Sequence, residues 1–317
     1  MGEISGPVCV AVVGDAGWEL PLAVTIDGLL RRVDPSADVQ LHVLSQGCDE
    51  ALVRRVVAGR AEVVWQELSG RLDGLRDLPR VRHIPPISFV RVLLPELLPG
   101  LDRVLYVDTD LVIKADVAEL WRAGTGGMAL AAVRDPGIDR LGASNCLGYA
   151  AEELEDPDAP AFNGGVLLMD LEQWRRDGLG GAVLAFAERH AERLNWADQD
   201  GLNAVLAGRW SEREQKWNVP VVVGYGGEPR RVASLERFDT DPPFSEPAIY
   251  HLFGAHKPWN SGPRHTFREA WLTELRASGA ILEGQWADWL RRDQRRAAWF
   301  SVRRRLVWPW TWARSVA

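Results

Sequence analysis

The residues best suited to chemistry are two aspartates, Asp108 and Asp110, which flank Thr109 directly after an apolar stretch. Two carboxylates about 5 Å apart repel by about 3 kcal/mol at an effective dielectric near 20, so a folded protein has to offset that repulsion. A divalent cation does so, and Mg²⁺ or Mn²⁺ favours a few carboxylates together with phosphate oxygens and water. The triplet therefore indicates a cation site. Two solvated aspartates in a turn, or Asp110 capping the next helix, would give the same pattern.

The segments before the triplet alternate between strand and helix patterns. Strands are predicted at Pro7–Asp15, Val39–Ser45 and 61–68, with helices at Trp18–Val33 and Glu50–Ala58 between them. This order predicts a parallel sheet of Rossmann type. The triplet ends a further strand, and open α/β sheets bind ligands at the carboxyl ends of their strands. No G-x-G-x-x-G follows the first strand, so dinucleotide binding of the usual kind is not predicted.

The segments around and after the triplet continue the alternation. Ser88 is a suitable N-cap for a helix over 88–98, and strands are predicted at Met128–Val133 and Phe162–Met169. Two helices follow, Gly181–Arg193 and Gln199–Leu206, and Asp198 is placed to cap the second. The stretch Gly224–Pro247 is rich in proline, glycine and charge, which predicts a long loop.

Length, cysteine content and charge exclude several classes of protein. The 317 residues suffice for one large α/β domain with an appendage, and no apolar run reaches the length of a membrane span. The N-terminus lacks a secretory signal pattern, and three scattered cysteines predict reduced thiols in a cytoplasmic protein. The net charge of −7 conceals eight arginines and one aspartate in 291–317, so the first 290 residues carry −14. An acidic body of this kind predicts no nucleic-acid partner.

The basic end of the chain predicts an amphipathic helix. Six of the fifteen tryptophans lie in 285–317, interleaved with arginines. One helical face collects the apolar residues Trp286, Trp289, Leu290, Ala297, Phe300 and Val307. Such a face suits an anionic membrane surface, and it also suits packing on the domain or on a sister subunit. We expect a main domain over 1–265 and a helical, Arg- and Trp-rich extension over 266–317.

Four segments, in order, resemble the retaining glycosyltransferases of family 8, the glycogenin and lipooligosaccharide galactosyltransferase group. They are SFVRVLLPELLPGLDRVLYVDTDLVI, AFNGGVLLMDLEQWR, WADQDGLNAV and HLFGAHKPW. The resemblance covers about residues 7 to 260. It implies a GT-A fold, a mostly parallel Rossmann-like sheet flanked by helices, and a metal-dependent transfer of glucose or galactose from a UDP-sugar to an acceptor hydroxyl with retention.

The resemblance also implies a role for each matching residue. Asp108, Asp110 and His251 would bind Mn²⁺ or Mg²⁺, and Asp198 and Gln199 would face the donor sugar near its anomeric carbon. The remaining positions would bind the donor: Asp15 at the uridine, Arg91 at the sugar or phosphate, Asp135, Asn163 and Gly164 at the transferred sugar, Gly254 and Lys257 at the diphosphate.

Several of these roles make chemical sense independently. Lys257 is one of only three lysines and offers a point charge for a phosphate, and imidazole is a normal ligand for Mn²⁺-like metals. His251 could equally be a half-buried histidine with satisfied hydrogen bonds. The sequence departs from the family pattern after the first strand, which ends in GDAGWE where many members have a second acidic residue and a polar Asn or Tyr, and at Gly164, where alanine is common.

The sequence leaves the mechanism and two rival functions open. Retention requires a protein nucleophile or attack by the acceptor on the same face, and we expect the latter because Gln199 is a poor nucleophile. The triplet also partly matches the D-x-D motif of haloacid-dehalogenase phosphatases, although three strands precede it here. A non-catalytic sugar-nucleotide-binding protein is the other alternative, and the acceptor is not identified.

Overall fold

The described part of the chain contains ten strands, and apolar residues dominate those of the central sheet because both of its faces are covered. The computed structural model describes residues 6–70, 81, 84–221, 247–254, 257–260, 265 and 267–295. The strands are β1 (Val8–Asp15), β2 (Val39–Gln46), β3 (Glu62–Glu67), β4 (Arg103–Val107), β5 (Leu111–Ile113), β6 (Leu130–Arg134), β7 (Phe162–Asp170), β8 (Trp210–Arg213), β9 (Val219–Pro220) and β10 (Ile249–His251).

Seven of these strands form one sheet in the order β3-β2-β1-β4-β7-β6-β8. The pairs β3–β2, β2–β1, β1–β4 and β6–β8 are parallel, whereas β7 runs antiparallel to both β4 and β6. The predicted mostly parallel α/β fold is therefore confirmed. The reversed strand β7 matters for the site, because it brings its own N-terminal residues to the carboxyl end of β4.

A small second sheet, β5-β10-β9, joins distant parts of the chain. Strand β10 pairs antiparallel with β5, which sets His251 opposite Leu111, and the N–H of Leu252 donates to the carbonyl of Asp110 at 2.9 Å. This pairing carries His251 to the aspartate triplet, about 140 residues away in sequence.

Helices cover the main sheet. They are α1 (Glu19–Arg32), α2 (Glu50–Val57), α3 (Leu94–Leu97), α4 (Ala118–Ala123), α5 (Leu171–Asp177), α6 (Leu179–Arg189), α7 (Asp198–Leu206) and α8 (Arg268–Ala277). The predicted helix over 88–98 is instead a 3₁₀ segment, Pro86–Leu93, followed by α3. Ser88 lies inside that segment and does not cap it. Helix α5, which starts directly after β7, was not predicted from the sequence.

The first part of the predicted C-terminal extension packs on the domain. Residues 283–295 are helical, and Trp286, Trp289 and Leu290 lie half-buried against the main core. Asp293, 3% exposed, forms a buried ion pair with Arg268 of α8. None of the helices in the described ranges combines the length and apolar composition needed to cross a bilayer. Residues 296–317 and the predicted loop over 224–247, apart from its last residue, lie outside the described residues.

Candidate active site

The aspartate triplet lies where β4 ends and the chain turns into β5. Thr25, a fully buried residue of α1, holds this turn from below. Its hydroxyl lies 3.0 Å from the carbonyl oxygens of Thr109 and Leu111 and accepts the N–H of Leu111 at 3.2 Å. The backbone on both sides of Asp110 is therefore fixed to a helix of the main core, which defines the direction of the Asp110 side chain.

Asp108, Asp110 and His251 form a compact group of potential metal ligands, with one atom from each lying within 4.8 Å of the others. His251 Nε2 is 3.3 Å from Asp110 Oδ1 and 3.7 Å from Asp108 Oδ2. Asp110 Oδ1 is buried, accepts no well-aligned hydrogen bond from the described residues and faces His251 Nε2. A carboxylate oxygen left in this state costs free energy unless a cation takes it, so the donor set fits a divalent ion with oxygen and imidazole ligands.

The other oxygen of each aspartate is held by the protein. Asp108 Oδ1 accepts from the Tyr106 hydroxyl at 2.5 Å and lies 3.3 Å from Arg91 Nη1. Asp110 Oδ2 pairs with Lys257 Nζ at 2.5 Å. Burial alone would raise the pKa of Asp110, but Lys257 and His251 outweigh burial and hold that pKa below its usual range. The carboxylate is thus kept ionised, as a metal ligand requires.

Strand β7 contributes Asn163, Gly164 and Gly165 through a bulge opposite β6. The pairing between these strands jumps from Ala132–Leu167 to Val133–Asn163, which leaves residues 164–166 out of the ladder. A Cβ on Gly165 would stand 2.7 Å from His251 Nδ1 and 3.1 Å from Asp108 Oδ2. Only glycine therefore leaves room for the ligand group beside this strand.

Polar side chains fill the space beside the bulge. The Gly164 N–H donates to Gln199 Oε1 at 2.9 Å, and Gln199 Nε2 donates to Asp135 Oδ2 at 3.2 Å. Asn163 Nδ2 donates to the same Asp135 oxygen at 3.1 Å. Gln199, Asp135 and Asn163 thus form one hydrogen-bonded group next to the metal-ligand group, where the resemblance places the transferred sugar.

Arg91 and Asp198 form an ion pair at the base of the cleft, with Arg91 Nε 2.6 Å from Asp198 Oδ2. Arg91 Nη1 also donates to the carbonyl of Gly164 at 2.5 Å. Burial opposes the charge of Arg91, but the charges of Asp108 and Asp198 hold its pKa above the usual value. Arg91 therefore stays charged and ties the aspartate triplet to the start of α7.

Asp198 is the first residue of α7 and does not cap it, which corrects the sequence analysis. The capping position belongs to Ala197, whose φ of 55° lies in the region that favours glycine. Backbone strain of this kind is characteristic of functional sites. Because Ala197 adopts this conformation, the Asp198 side chain turns into the cleft towards Arg91 instead of back over the helix terminus.

All these residues open into one cleft of about 750 Å³. Asp15, the last residue of β1, lines this cleft together with Trp18, as do Gly254 and Lys257 of the segment after β10. Gly254 has a φ of +89°, a conformation that residues with side chains rarely adopt. Apart from Gly164, which lies directly behind the lining, every residue that the sequence predicted for the site is a lining residue of this cleft.

Comparison with known proteins identifies the family. The sequence model of Glycosyl transferase family 8 matches residues 14–262, more than three quarters of the chain. The chain belongs to glycosyltransferase family 8. The predicted family, fold and enzyme class are thereby confirmed, and the phosphatase alternative finds no support.

Individual relatives agree with this assignment. General stress protein A of Bacillus subtilis is 29% identical over 77% of this chain and 84% of its own length. Glycosyltransferase GlyE of Streptococcus pneumoniae is 26% identical over 87% of this chain, which spans 63% of that protein. The crystal structure of galactosyltransferase LgtC with donor and acceptor sugar analogues superposes with a TM-score of 0.67 at 23% identity, covering 87% of this chain and 98% of that one.

Three further residues of this glycosyltransferase position the site and were missed from the sequence: Thr25, Tyr106 and Asn218. Tyr106 lies two residues before Asp108 on the same strand, so the period of two placed it on the same side and could have revealed it. Thr25 is a polar residue within the predicted helix Trp18–Val33, a weaker signal. Asn218 has no sequence signal, because the pairing of β9 with β10 brings it beside His251.

Proposed function

We propose that this glycosyltransferase moves glucose or galactose from a UDP-sugar to an acceptor hydroxyl, with Mn²⁺ or Mg²⁺ held by Asp108, Asp110 and His251. The observation that carries the proposal is that two carboxylate oxygens and one imidazole nitrogen lie within 4.8 Å of one another, with Asp110 Oδ1 buried and facing His251 Nε2. A bound cation would neutralise the leaving diphosphate as a Lewis acid.

The donor diphosphate would lie between the triplet and the segment after β10. Lys257 carries a buried positive charge there, 6% exposed, and Gly254 allows a close approach of the backbone. Asp15 and Trp18 line the end of the cleft beside β1, where the uridine would bind. Asn163, Asp135 and Gln199 supply hydrogen-bonding groups on the side where the sugar would bind.

We infer that the acceptor attacks the same face of the sugar from which the diphosphate leaves. The two side chains nearest the expected anomeric carbon are already engaged: Gln199 Oε1 accepts the N–H of Gly164, and Asp198 is paired with Arg91. These contacts suit residues that stabilise charge in an oxocarbenium-like transition state rather than residues that form a bond to carbon. A covalent sugar trapped on Asp198 would overturn this mechanism.

A donor screen tests the proposed function. Purified protein is incubated with UDP-glucose, UDP-galactose and other sugar nucleotides, with and without Mn²⁺, and UDP release is measured. We expect Mn²⁺-dependent release from a UDP-hexose, and a drop of about 1,000-fold in Asp110→Asn, the equivalent of about 4 kcal/mol. Asp102→Asn, at an aspartate whose side chain is 89% exposed, is the matched control and should release UDP normally.

Two results would contradict the proposal. Undiminished UDP release by Asp110→Asn would remove the metal assignment. Hydrolysis of simple phosphomonoesters without sugar-nucleotide turnover would restore the phosphatase alternative.

We also propose that the protein acts in the cytoplasm and that its C-terminal extension, the region from residue 266, contacts the membrane surface through residues 296–317. The support is indirect: residues 283–295 already pack on the domain, and five arginines and four tryptophans lie beyond them in the sequence. Co-sedimentation with anionic vesicles, comparing the full chain with a form ending at residue 295, tests this. Equal sedimentation of the two forms would rule the contact out.

A further inference from the structure

Asn218 lies beside His251 because two short elements fix its backbone. It follows the 3₁₀ turn Gln215–Trp217 and precedes β9, which pairs in parallel with β10. The carbonyl of Lys216 accepts the N–H of Ala248 at 2.9 Å, which ties the turn to the start of β10. Asn218 is 2% exposed, so each polar atom of its side chain needs a partner inside the protein.

The orientation of the neighbouring Asn163 amide follows from its own partners. Asn163 Oδ1 accepts the backbone N–H of Gly165 at 3.0 Å, and only an oxygen can do so. Asn163 Nδ2 donates at 3.1 Å to a carboxylate oxygen of Asp135. A backbone donor at one end and a carboxylate acceptor at the other exclude the flipped amide.

That orientation determines the Asn218 amide in turn. Asn163 Oδ1 is an acceptor, so the Asn218 atom 2.9 Å away from it is the donor Nδ2. The oxygen of Asn218 then faces His251 Nδ1 at 2.9 Å and accepts its hydrogen. Nδ1 of His251 therefore carries a hydrogen, and Nε2 is the ring nitrogen that faces Asp108 and Asp110.

We propose that Asn218 is a positioning residue that fixes the tautomer and ring orientation of His251, so that Nε2 is presented as a ligand atom before any metal arrives. The proposal rests on the metal role proposed above for His251. Partners that hold the second ring nitrogen of a ligating histidine typically contribute about 10- to 100-fold to metal affinity.

The same contacts extend from His251 to the sugar side of the cleft. Asn218 and Asn163 connect His251 to Asp135, and Asp135 accepts from Gln199 Nε2 at 3.2 Å. A change in the amide of Asn218 would therefore disturb the metal ligand first and the sugar-binding group second. Metal affinity is accordingly the sharper measurement, and activity alone would not separate the two effects.

Two measurements test the proposal on the full chain. Long-range ¹H–¹⁵N NMR on metal-free protein reports which ring nitrogen of His251 carries hydrogen. His251→Gln assigns the signal. Mn²⁺ titration followed by electron paramagnetic resonance gives the metal affinity. Both are applied to the wild type, Asn218→Leu and Asn218→Asp, and thermal unfolding confirms that each variant is folded.

We expect the wild type to show the Nδ1–H form of His251. Asn218→Leu removes the acceptor, so the Nε2–H form should appear and Mn²⁺ affinity should fall by about 10- to 100-fold. Asn218→Asp keeps an acceptor for Nδ1–H but loses the donor to Asn163 Oδ1, so it should retain that tautomer and lose less Mn²⁺ affinity than Asn218→Leu. If the leucine variant does not fold, Asn218→Ala serves the same purpose with a smaller side chain.

Three outcomes would overturn the proposal: an Nε2–H form in the wild type, unchanged Mn²⁺ affinity in the leucine or alanine variant, or an equal loss of affinity in Asn218→Asp. A different result separates the proposed metal role from this inference. A wild type that shows the Nδ1–H form but binds no Mn²⁺ would contradict the metal role of His251, while the orienting effect of Asn218 on the ring would stand.

Discussion

The floor and the wall of the cleft are built on different principles. The floor consists of charged or amide side chains that hold one another in place: Asp108, Asp110, His251, Lys257, Arg91, Asp198, Asn163 and Gln199. The wall is apolar, and includes the half-exposed Ile84, Ile87, Trp196 and Phe253 and the buried Ile138. Polar groups that hold one another in fixed orientations suit a ligand whose chemical groups do not vary, such as a diphosphate. An apolar wall instead contributes contact area and shape complementarity.

This contrast leads to a division of labour. We expect changes in the floor to affect the metal and the donor, because each floor residue is positioned by others that would also shift. Changes in the wall should affect the acceptor and leave donor cleavage intact. The predictions below test that division, beginning with the largest effect.

Gly165→Ala should disrupt the floor most severely among small substitutions. The added methyl would overlap the His251 ring and approach Asp108 Oδ2 to 3.1 Å, so the ligand group has to move apart. We expect Mn²⁺ affinity to fall by at least about 100-fold, measured by paramagnetic resonance titration. Gly181→Ala, on α6 with open space around the added carbon, is the control and should bind Mn²⁺ normally.

Arg91→Lys should slow donor cleavage by about 10- to 100-fold. The guanidinium contacts Asp198, Asp108 and the carbonyl of Gly164 at the same time, and a single ammonium cannot reach all three. The resulting misplacement of Asp198 should lower kcat more than it raises KM for the donor. Arg54→Lys, at an exposed arginine of α2, supplies the control. An unchanged kcat in Arg91→Lys would show that the position of Asp198 does not depend on the contacts of the Arg91 guanidinium.

Trp196→Ala should affect the wall alone. Removing the ring takes apolar area from the cleft, so KM for an acceptor should rise by about 10-fold while Mn²⁺-dependent donor hydrolysis stays unchanged. Trp196→Phe keeps an aromatic ring and should behave close to the wild type. A parallel loss of donor hydrolysis in Trp196→Ala would contradict the division between floor and wall.

Asp200 should give the smallest effect, a pH dependence of stability. Burial raises the pKa of this carboxyl to about 6, against opposing hydrogen bonds from Asn195, Tyr149 and Trp196. Between about pH 4 and pH 6 the folded state therefore keeps a proton on Asp200 that the unfolded state has already lost. The stability of the folded state falls as pH rises through this window, because Asp200 then has to ionise while buried. The cost is about 2–3 kcal/mol above pH 6.

Thermal or urea unfolding across this pH range checks that sign. The stability of the wild type relative to Asp200→Asn should fall as pH rises from about 4 to about 7. A relative stability that rises over the same range would show that Asp200 is instead stabilised as a carboxylate. Asp200 accepts the backbone N–H groups of Asn195 and Trp196. The same measurement therefore also shows how much these hydrogen bonds stabilise the segment that carries the wall residue Trp196.

The sequence predicted the floor better than the wall, for physical reasons. Asp108, Asp110 and Lys257 are charged groups in recognisable segments, and the alternation of strands and helices placed the triplet at a strand end. The pairing of β10 with β5, which brings His251 to Asp110, depends on contacts between distant segments and followed only from the family resemblance.

The wrong or missing predictions share one cause: contacts between distant segments in the site determine these residues, and local sequence preferences such as helix capping do not. Ser88 and Asp198 are good capping residues, yet one lies inside a 3₁₀ segment and the other turns into the cleft after the strained Ala197. Asn218 carries no local signal, since its partners Asn163 and His251 come from other strands. Wall residues such as Ile138 and Trp196 read as ordinary apolar positions in the sequence.

The most direct test of the metal site is the binding of UDP by calorimetry, with and without Mn²⁺, to the wild type, Asp110→Asn and the control Asp102→Asn. If Asp108, Asp110 and His251 hold a cation against the diphosphate, Mn²⁺ should tighten UDP binding by at least about 100-fold in the wild type and the control, and by less than about threefold in Asp110→Asn. UDP binding that is independent of Mn²⁺ in the wild type, or full Mn²⁺ dependence in Asp110→Asn, would contradict it.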